Sequence, residues 1–303
     1  MEERKLKCKG AAGREITLHM FATSEENVKG AVLILHGMAE HFERYAGFFK
    51  GLNDAGFDAY TYDHRGHGIN TPDEDLGFFG KKKGYELVIE DAVAALKYVK
   101  ENRRGGKCFL FGHSMGSLIA RNVIQRFDDI DGVLICGTGY MPAAVCSSGL
   151  ALANIVTCLT GPRHRSKFLN NVMFNNKEYN RDRKRTPFDW LTKDEKIVDE
   201  YIKDKYCGFL CTASFYRDLI WITGHAASNI GATRKDLPIF IASGTEDPVG
   251  SFGKGIEALY AKYKELGFTN VRCKLYKGDR HELLNEFDKE QVIRDFAGFF
   301  SEV

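Results

Sequence analysis

The pentapeptide Gly112-His113-Ser114-Met115-Gly116 sets a serine between two glycines in the pattern G-x-S-x-G. Chance alone gives about one such match in five chains of this length and glycine content, so its neighbours must decide what it means. It follows the apolar run CFLFG and precedes a helical pattern formed by Leu118, Ile119 and Val123. A tight strand-to-helix turn at that place lifts a hydroxyl clear of a sheet. The flanking glycines avoid side-chain clashes, and the helix N-terminus aims its amides at a developing anion. A serine nucleophile also needs a base to take its proton and an acid to orient the base. Two later loops offer them: Thr245-Glu246-Asp247-Pro248 after IFIASG, and Asp279-Arg280-His281-Glu282 after CKLYKG. The residues alone leave Glu246 and Asp247 as rivals for the acid. Two backbone donors would complete an oxyanion hole, the amide of Met115 after the serine and that of Met38 in the early loop LILHGMAEH.

Such groups converge only if strands and helices alternate around them. EITLHMFAT, AVLILHG, DAYTYDH, KCFLFGH, DGVLICGT, LPIFIASG and VRCKLYKG read as strands, several of them continuous apolar runs of the kind buried on both faces. FERYAGFFKGLNDAG, YELVIEDAVAALKYVKENRRGG, SMGSLIARNVIQRF, KGIEALYAKYKELG and NEFDKEQVIRDFAGFFSE read as helices between or after them. Repeated strand–helix units predict a mostly parallel central sheet with helices on both faces. The alternation breaks over 139–232, which reads as a helical insert between two strands. The core is then 1–138 together with 233–303. In such sheets ligands bind at the carboxyl ends of the strands, where the loops of Met38, Ser114, Asp247 and His281 all fall.

Composition removes several alternatives. The 303 residues carry 43 basic and 41 acidic side chains, a net +2 that gives no general attraction to nucleic acid. The N-terminal MEERKLKCKG is charged and lacks the apolar core of a signal peptide. Eight scattered cysteines show no C-x-x-C pair and no zinc spacing. These features predict buried thiols, a cytoplasmic protein and no metal. From Gly132 to Pro162 there is no charged residue, yet glycines, Pro142 and polar side chains interrupt the run, so the expectation is a buried strand followed by an apolar surface helix that could touch lipid.

Taken together, HGMAEHFERY, DHRGHG, GHSMGS, SGTEDPVG and GDRHELLNE resemble the monoacylglycerol lipase and lysophospholipase-like branch of the α/β-hydrolase superfamily, which includes serine aminopeptidase-like proteins. The resemblance runs along nearly the whole chain. It implies an α/β-hydrolase fold with a helical cap at 139–232 and no cofactor. Carried over by position, it implies Ser114 as nucleophile, Asp247 as acid, His281 as base, and Met38 and Met115 as the oxyanion amides. It also implies an acyl-chain-bearing ester as substrate. The common HGxGEH pattern has glycine where this chain has Ala39, a departure in the oxyanion loop.

The remaining features have plainer readings. His64 and His67 read as organisers of loops, His36 as structural, His113 as merely the residue before the serine turn, and Asp279 and Glu282 as solvated charges beside His281. Gly253-Lys254-Gly255-Ile256-Glu257-Ala258 matches a loose dinucleotide pattern but does not directly follow its strand, so it is set aside. Residues 163–185 hold eight basic side chains (Arg163, Arg165, Lys167, Lys177, Arg181, Arg183, Lys184, Arg185) against Glu178 and Asp182. They read as a solvated cap surface, or as a site for an anionic interface or a phosphate-bearing substrate. Phe209, Phe215, Tyr216 and Trp221 are candidates for packing the cap or lining an acyl pocket. Thioesterase, acyltransferase, aminopeptidase and non-catalytic binding readings stay open. The aminopeptidase reading needs carboxylates for a substrate ammonium, with Asp194, Glu195, Asp199 and Glu200 as candidates.

Overall fold

The computed structural model describes residues 2–174, 177–181 and 185–303. Eight strands form one sheet: Glu3–Lys9 (β1), Glu15–Phe21 (β2), Gly30–Leu35 (β3), Phe57–Thr61 (β4), Lys107–His113 (β5), Gly132–Cys136 (β6), Ile239–Gly244 (β7) and Val271–Tyr276 (β8). Their order across the sheet is β1-β2-β4-β3-β5-β6-β7-β8. The first two pairings, β1 with β2 and β2 with β4, are antiparallel, and all the others are parallel.

Alternation along the central strands sorts side chains to two faces. Val32, Ile34, Phe109 and Phe111 pack against helices Ala46–Asp54 (α1) and, at the chain's end, Lys289–Glu302 through Phe48, Phe49, Phe296 and Phe300. Leu33, Leu35 and Leu110 face Gly84–Asn102 (α2) and Met115–Val123 (α3) on the other side, through Val88, Leu96 and Ile119. β1 was not anticipated. Its apolar content is small (Leu6, Cys8), and it gains order by pairing its backbone with β2 at the sheet edge, where lysines are well suited.

Between β6 and β7 the chain forms Ala143–Thr160 (α4), Lys167–Phe174 (α5), Lys177–Asn180 (α6), Glu195–Lys203 (α7) and Ala213–Ser228 (α8). The last two helices of the chain are Lys254–Glu265 (α9) and Lys289–Glu302 (α10). α4 is one uninterrupted helix of 18 residues, and only 17% of it is buried. Length and composition alone would let it cross a membrane. The helix runs through Gly149, and Ser147, Ser148, Thr157 and Thr160 return their hydroxyls to carbonyls one turn back. Its buried line is Cys146, Ala153 and Thr157, set against α8. Val145, Ile155 and Leu159 are exposed.

Candidate active site

Ser114 stands between β5 and α3 with φ 53° and ψ −119°, a conformation costing a non-glycine residue about 1–3 kcal/mol. The surroundings hold it there. Its N–H donates to the Cys136 carbonyl at 2.9 Å, and its own carbonyl accepts from the Ser117 amide at 2.9 Å and hydroxyl at 2.5 Å. The flanking glycines answer close approaches. A Cβ at Gly112 would meet the Gly116 carbonyl oxygen at 2.4 Å, and one at Gly116 would meet the Leu35 carbonyl oxygen at 2.1 Å. The start of α3 therefore presses directly on the end of β3, bringing the Met115 amide beside the loop that carries Met38.

The other two loops arrive on β7 and β8, which pair in parallel to Gly244 and Tyr276. His281 Nδ1 lies 3.0 Å from Asp247 Oδ1, and both side chains are almost wholly buried. Burial pushes the Asp247 carboxyl upward. The His281 imidazole, the Ser243 hydroxyl (2.9 Å) and the Val249 amide (2.9 Å) outweigh that and leave it below the ordinary range. With Nδ1 engaged, Nε2 is the imidazole nitrogen left for chemistry. Glu246, the rival acid, turns away to an ion pair with Arg181. The His281 ring lies against Gly137, where an added Cβ would be 3.2 Å from Cε1, and 4.8 Å from the ring of His113, the residue before Ser114.

Beneath these groups lies a charged network. Gly37 donates its N–H to Glu40 Oε1 at 2.5 Å, and Tyr45 donates to the same oxygen at 2.8 Å. His113 Nδ1 lies 3.0 Å from the Tyr45 hydroxyl oxygen and 3.4 Å from Glu40. Arg44 forks onto both oxygens of Glu282 at 2.6 and 2.7 Å and reaches Glu40 at 2.6 Å. Burial opposes the charge on each group, yet the partners prevail: Glu40 and Glu282 sit below the usual carboxylate range, and His113 above the usual imidazole range. Ala39 adopts φ 50° itself, in the left-handed region that its usual glycine would favour. Its carbonyl accepts from the Gly208 amide at 2.9 Å and the Tyr201 hydroxyl at 3.0 Å, which fixes the strained turn.

Several expectations need correction. Asp279 and Glu282 are not solvated: both are buried, and they bind Lys193 and Arg44 respectively. Phe215 and Tyr216 have no exposed surface and pack in the core, Phe215 on Phe79 at 4.5 Å, so neither presents a face to a ligand. Trp221 stacks on Tyr85 at 3.8 Å and on His225 at 4.4 Å, while Phe209 lies 5.4 Å from His67. The aromatic residue that does reach the site is Trp190, whose ring is 5.0 Å from that of His281. Local sequence gives no signal for it, because it arrives through contacts with the histidine loop far along the chain. The described basic residues form a part-exposed surface, as expected, and several of them make specific contacts there. Arg163 pairs with Asp75, Arg165 binds the Leu76 and Leu210 carbonyls, Arg181 pairs with Glu246, and Arg185 with Asp199. Asp182, Arg183 and Lys184 lie outside the described residues, as do the side chains of Lys177 and Glu178.

His36 links two loops by accepting from the His64 amide at 3.0 Å, and its Nδ1 donates to the Gly37 carbonyl at 2.8 Å. Burial holds His36, His64 and His67 below the usual imidazole range, so they act as neutral braces. Among the described residues, His41, Asp204 and Cys207 bring potential ligand atoms within 4.8 Å of one another. His41 Nε2 is already 2.8 Å from Asp204, and burial pushes the Cys207 thiol far up, so this trio is a hydrogen-bonded junction. All eight cysteines are free thiols.

A family described as serine aminopeptidase, S33, matches residues 26–288. A monoacylglycerol lipase of Mycolicibacterium smegmatis is 23% identical over 96% of this chain and 94% of its own. An uncharacterised abhydrolase domain-containing protein of Dictyostelium discoideum is 22% identical over 86% of this chain. This chain spans 25% of that relative's length. Among solved structures, a thermostable carboxyl esterase from Bacillus coagulans, in complex with glycerol, superposes with a TM-score of 0.89 at 27% identity, covering 100% of this chain and 99% of its own. With the eight-stranded sheet, the strained Ser114 turn and the matched span of 26–288, the chain belongs to the serine aminopeptidase S33 family of α/β-hydrolases.

Proposed function

We propose that the protein is a serine hydrolase that cleaves carboxylic esters through an acyl-enzyme, with lipid-like esters such as monoacylglycerols or lysophospholipids as substrates. The observation that carries this reading is the buried contact of 3.0 Å between His281 Nδ1 and Asp247, set beside the strained turn of Ser114. The Ser114 hydroxyl oxygen attacks the ester carbonyl carbon while His281 Nε2 takes its proton. The Met38 and Met115 amides hold the oxyanion. Collapse of the tetrahedral intermediate breaks the bond to the alcohol oxygen, and the imidazolium gives that oxygen its proton. Water, deprotonated by the same imidazole, then attacks the acyl-enzyme and releases the acid. Asp247 keeps the imidazole in one tautomer and offsets its charge.

The relatives named as monoacylglycerol lipase and carboxyl esterase support ester cleavage, and the exposed apolar side of α4 supports lipid substrates. We take 139–232 as a cap over the site that also contacts the membrane surface through α4. The family's aminopeptidase label favours amides as an alternative. Against it, the carboxylates that would hold a substrate ammonium are otherwise placed: Asp194 caps α7, Asp199 binds Arg185, and Glu195 and Glu200 are exposed. The test is a fluorophosphonate probe followed by an acyl-chain and head-group scan. Ser114→Ala is expected to lose both labelling and turnover. Turnover persisting in that variant, or a preference for aminoacyl amides, would overturn the reading.

A further inference from the structure

The His281 side chain is only 2% exposed, so an alcohol taking a proton from Nε2 must lie against the few groups around that ring. Trp190 is one of them, and it is only partly buried. Its plane is tilted 45° to the imidazole, and Tyr179 supports it edge-on at 5.1 Å. Its indole N–H donates to no acceptor among the described residues.

The stretch carrying Trp190 is stitched to the histidine loop on both sides. Glu282 donates its N–H to the Leu191 carbonyl at 2.7 Å, and Arg280 donates to the carbonyls of Asp189 at 2.5 Å and Thr192 at 3.1 Å. The Thr192 hydroxyl donates to Asn285 at 2.9 Å, and the Lys193 ammonium to Asp279 at 2.7 Å. The indole and the imidazole are thus parts of one rigid assembly. A surface fixed this way beside the proton donor meets the alcohol half of an ester, whatever the cap does elsewhere.

We propose that Trp190 is the specificity-determining residue for the alcohol half of the substrate. Its ring packs against the alcohol's carbon skeleton, and its N–H donates to a hydroxyl, favouring hydroxyl-bearing alcohols over plain alkyl ones. This rests on the ester-hydrolase reading above. In acylation the ester C–O bond breaks, the Ser114 ester forms, and His281 returns the serine proton to the departing oxygen. Trp190 makes no bond; it holds the alcohol where that proton arrives. Deacylation begins after the alcohol has left, so it does not depend on this contact.

The experiment compares wild type, Trp190→Phe and Trp190→Ala on decanoate esters of glycerol, n-propanol and p-nitrophenol, with the common deacylation rate measured after a burst. Trp190→Phe keeps an apolar ring and removes the donor. It is expected to lose roughly tenfold in kcat/KM on the glyceryl ester and under about twofold on the propyl ester, the scale of one lost hydrogen bond. Trp190→Ala is expected to lose on both, and Trp190→Phe is expected to leave the deacylation rate unchanged. In Trp190→Phe, equal losses on all three esters or a slowed deacylation would overturn the proposal and leave Trp190 as a support for His281. A wild type that turns over none of the esters and leaves Ser114 unlabelled overturns the hydrolase reading itself.

Discussion

His113 Nε2 lies 3.3 Å from the backbone carbonyl oxygen of His281, so the residue before the serine tethers the loop that carries the imidazole. The other nitrogen of His113 faces Glu40, whose carboxylate accepts from the Gly37 amide at the start of the oxyanion loop. One buried network thereby joins the loops that carry Ser114, His281 and Met38, the groups that the proposed mechanism brings to the substrate.

His113→Leu removes that tether and leaves Glu40 with one partner fewer. We expect kcat to fall by about 10- to 100-fold, with KM changed much less, because loss of positioning acts on the reaction step more than on binding. Steady-state kinetics on a soluble ester checks this, with circular dichroism showing that the fold persists. A raised KM at unchanged kcat would place His113 in substrate binding instead.

The same network gives stability a pH dependence of predictable sign. Glu40 and Glu282 have lowered values, so their contribution is full above the ordinary 4.5 and is lost as pH falls through their folded values. His113 has a raised value, so its contribution is full below the ordinary 6.5 and is lost as pH rises through its folded value. The contribution should therefore peak between those two limits, near pH 5–6. Glu40→Gln is expected to cost about 3–5 kcal/mol there, as when one partner of a buried pair is removed. Thermal melts of wild type and variant across pH 3.5–9 should show a gap that narrows towards both ends. A gap that widens steadily up to pH 9 would refute this account.

Asp247→Asn should separate the two adjacent acids. The variant keeps the shape of the side chain but favours the wrong imidazole tautomer, with an expected fall of about 10³- to 10⁴-fold in kcat. Glu246→Gln removes a part-exposed ion pair to Arg181, with an expected change of twofold or less. Parallel kinetics of the two variants decide, and the reverse ranking would move the acid to Glu246.

How far the sequence could be read depends on the range of the contacts involved. The serine turn was legible because its requirements are local: an apolar strand, two glycines that leave room for crossing backbones, and a helix start. The loops of Asp247 and His281 were legible by their order and their place after strands, and the structure brings those two side chains together. Asp279 and Glu282 were misjudged because their partners, Lys193 and Arg44, lie 86 and 238 residues away. A charge whose counterion is that distant looks solvated in any local window. Trp190 escaped notice for the same reason, and β1 because an edge strand needs little apolar content of its own.

Ala39 offers a test of backbone strain. The left-handed conformation costs an alanine about 1–2 kcal/mol, while replacing it with glycine loosens the unfolded chain by about 0.4–1 kcal/mol. Ala39→Gly is therefore expected to stabilise the protein modestly, by about 0.5 kcal/mol, with ester turnover retained. Urea denaturation measures the difference. A clear loss of stability would mean that the buried methyl group packs well enough to outweigh the strain.

The exposed side of α4 makes a prediction about where substrate is met. Ile155 and Leu159 are 58% and 80% exposed. Moving such side chains from water into the acyl boundary of a bilayer should favour binding by about tenfold each. The double variant Ile155→Ser, Leu159→Ser is thus expected to lose most binding to neutral phosphatidylcholine vesicles in a flotation assay. Its turnover of a short, water-soluble ester should match wild type, because α4 rests on α8 through Cys146, Ala153 and Thr157 and those contacts are left in place. Its turnover of a long-chain ester presented in vesicles should fall in step with binding. If vesicle binding is unchanged in the double variant, the apolar face of α4 does not meet the bilayer, and the substrate must reach Ser114 from solution.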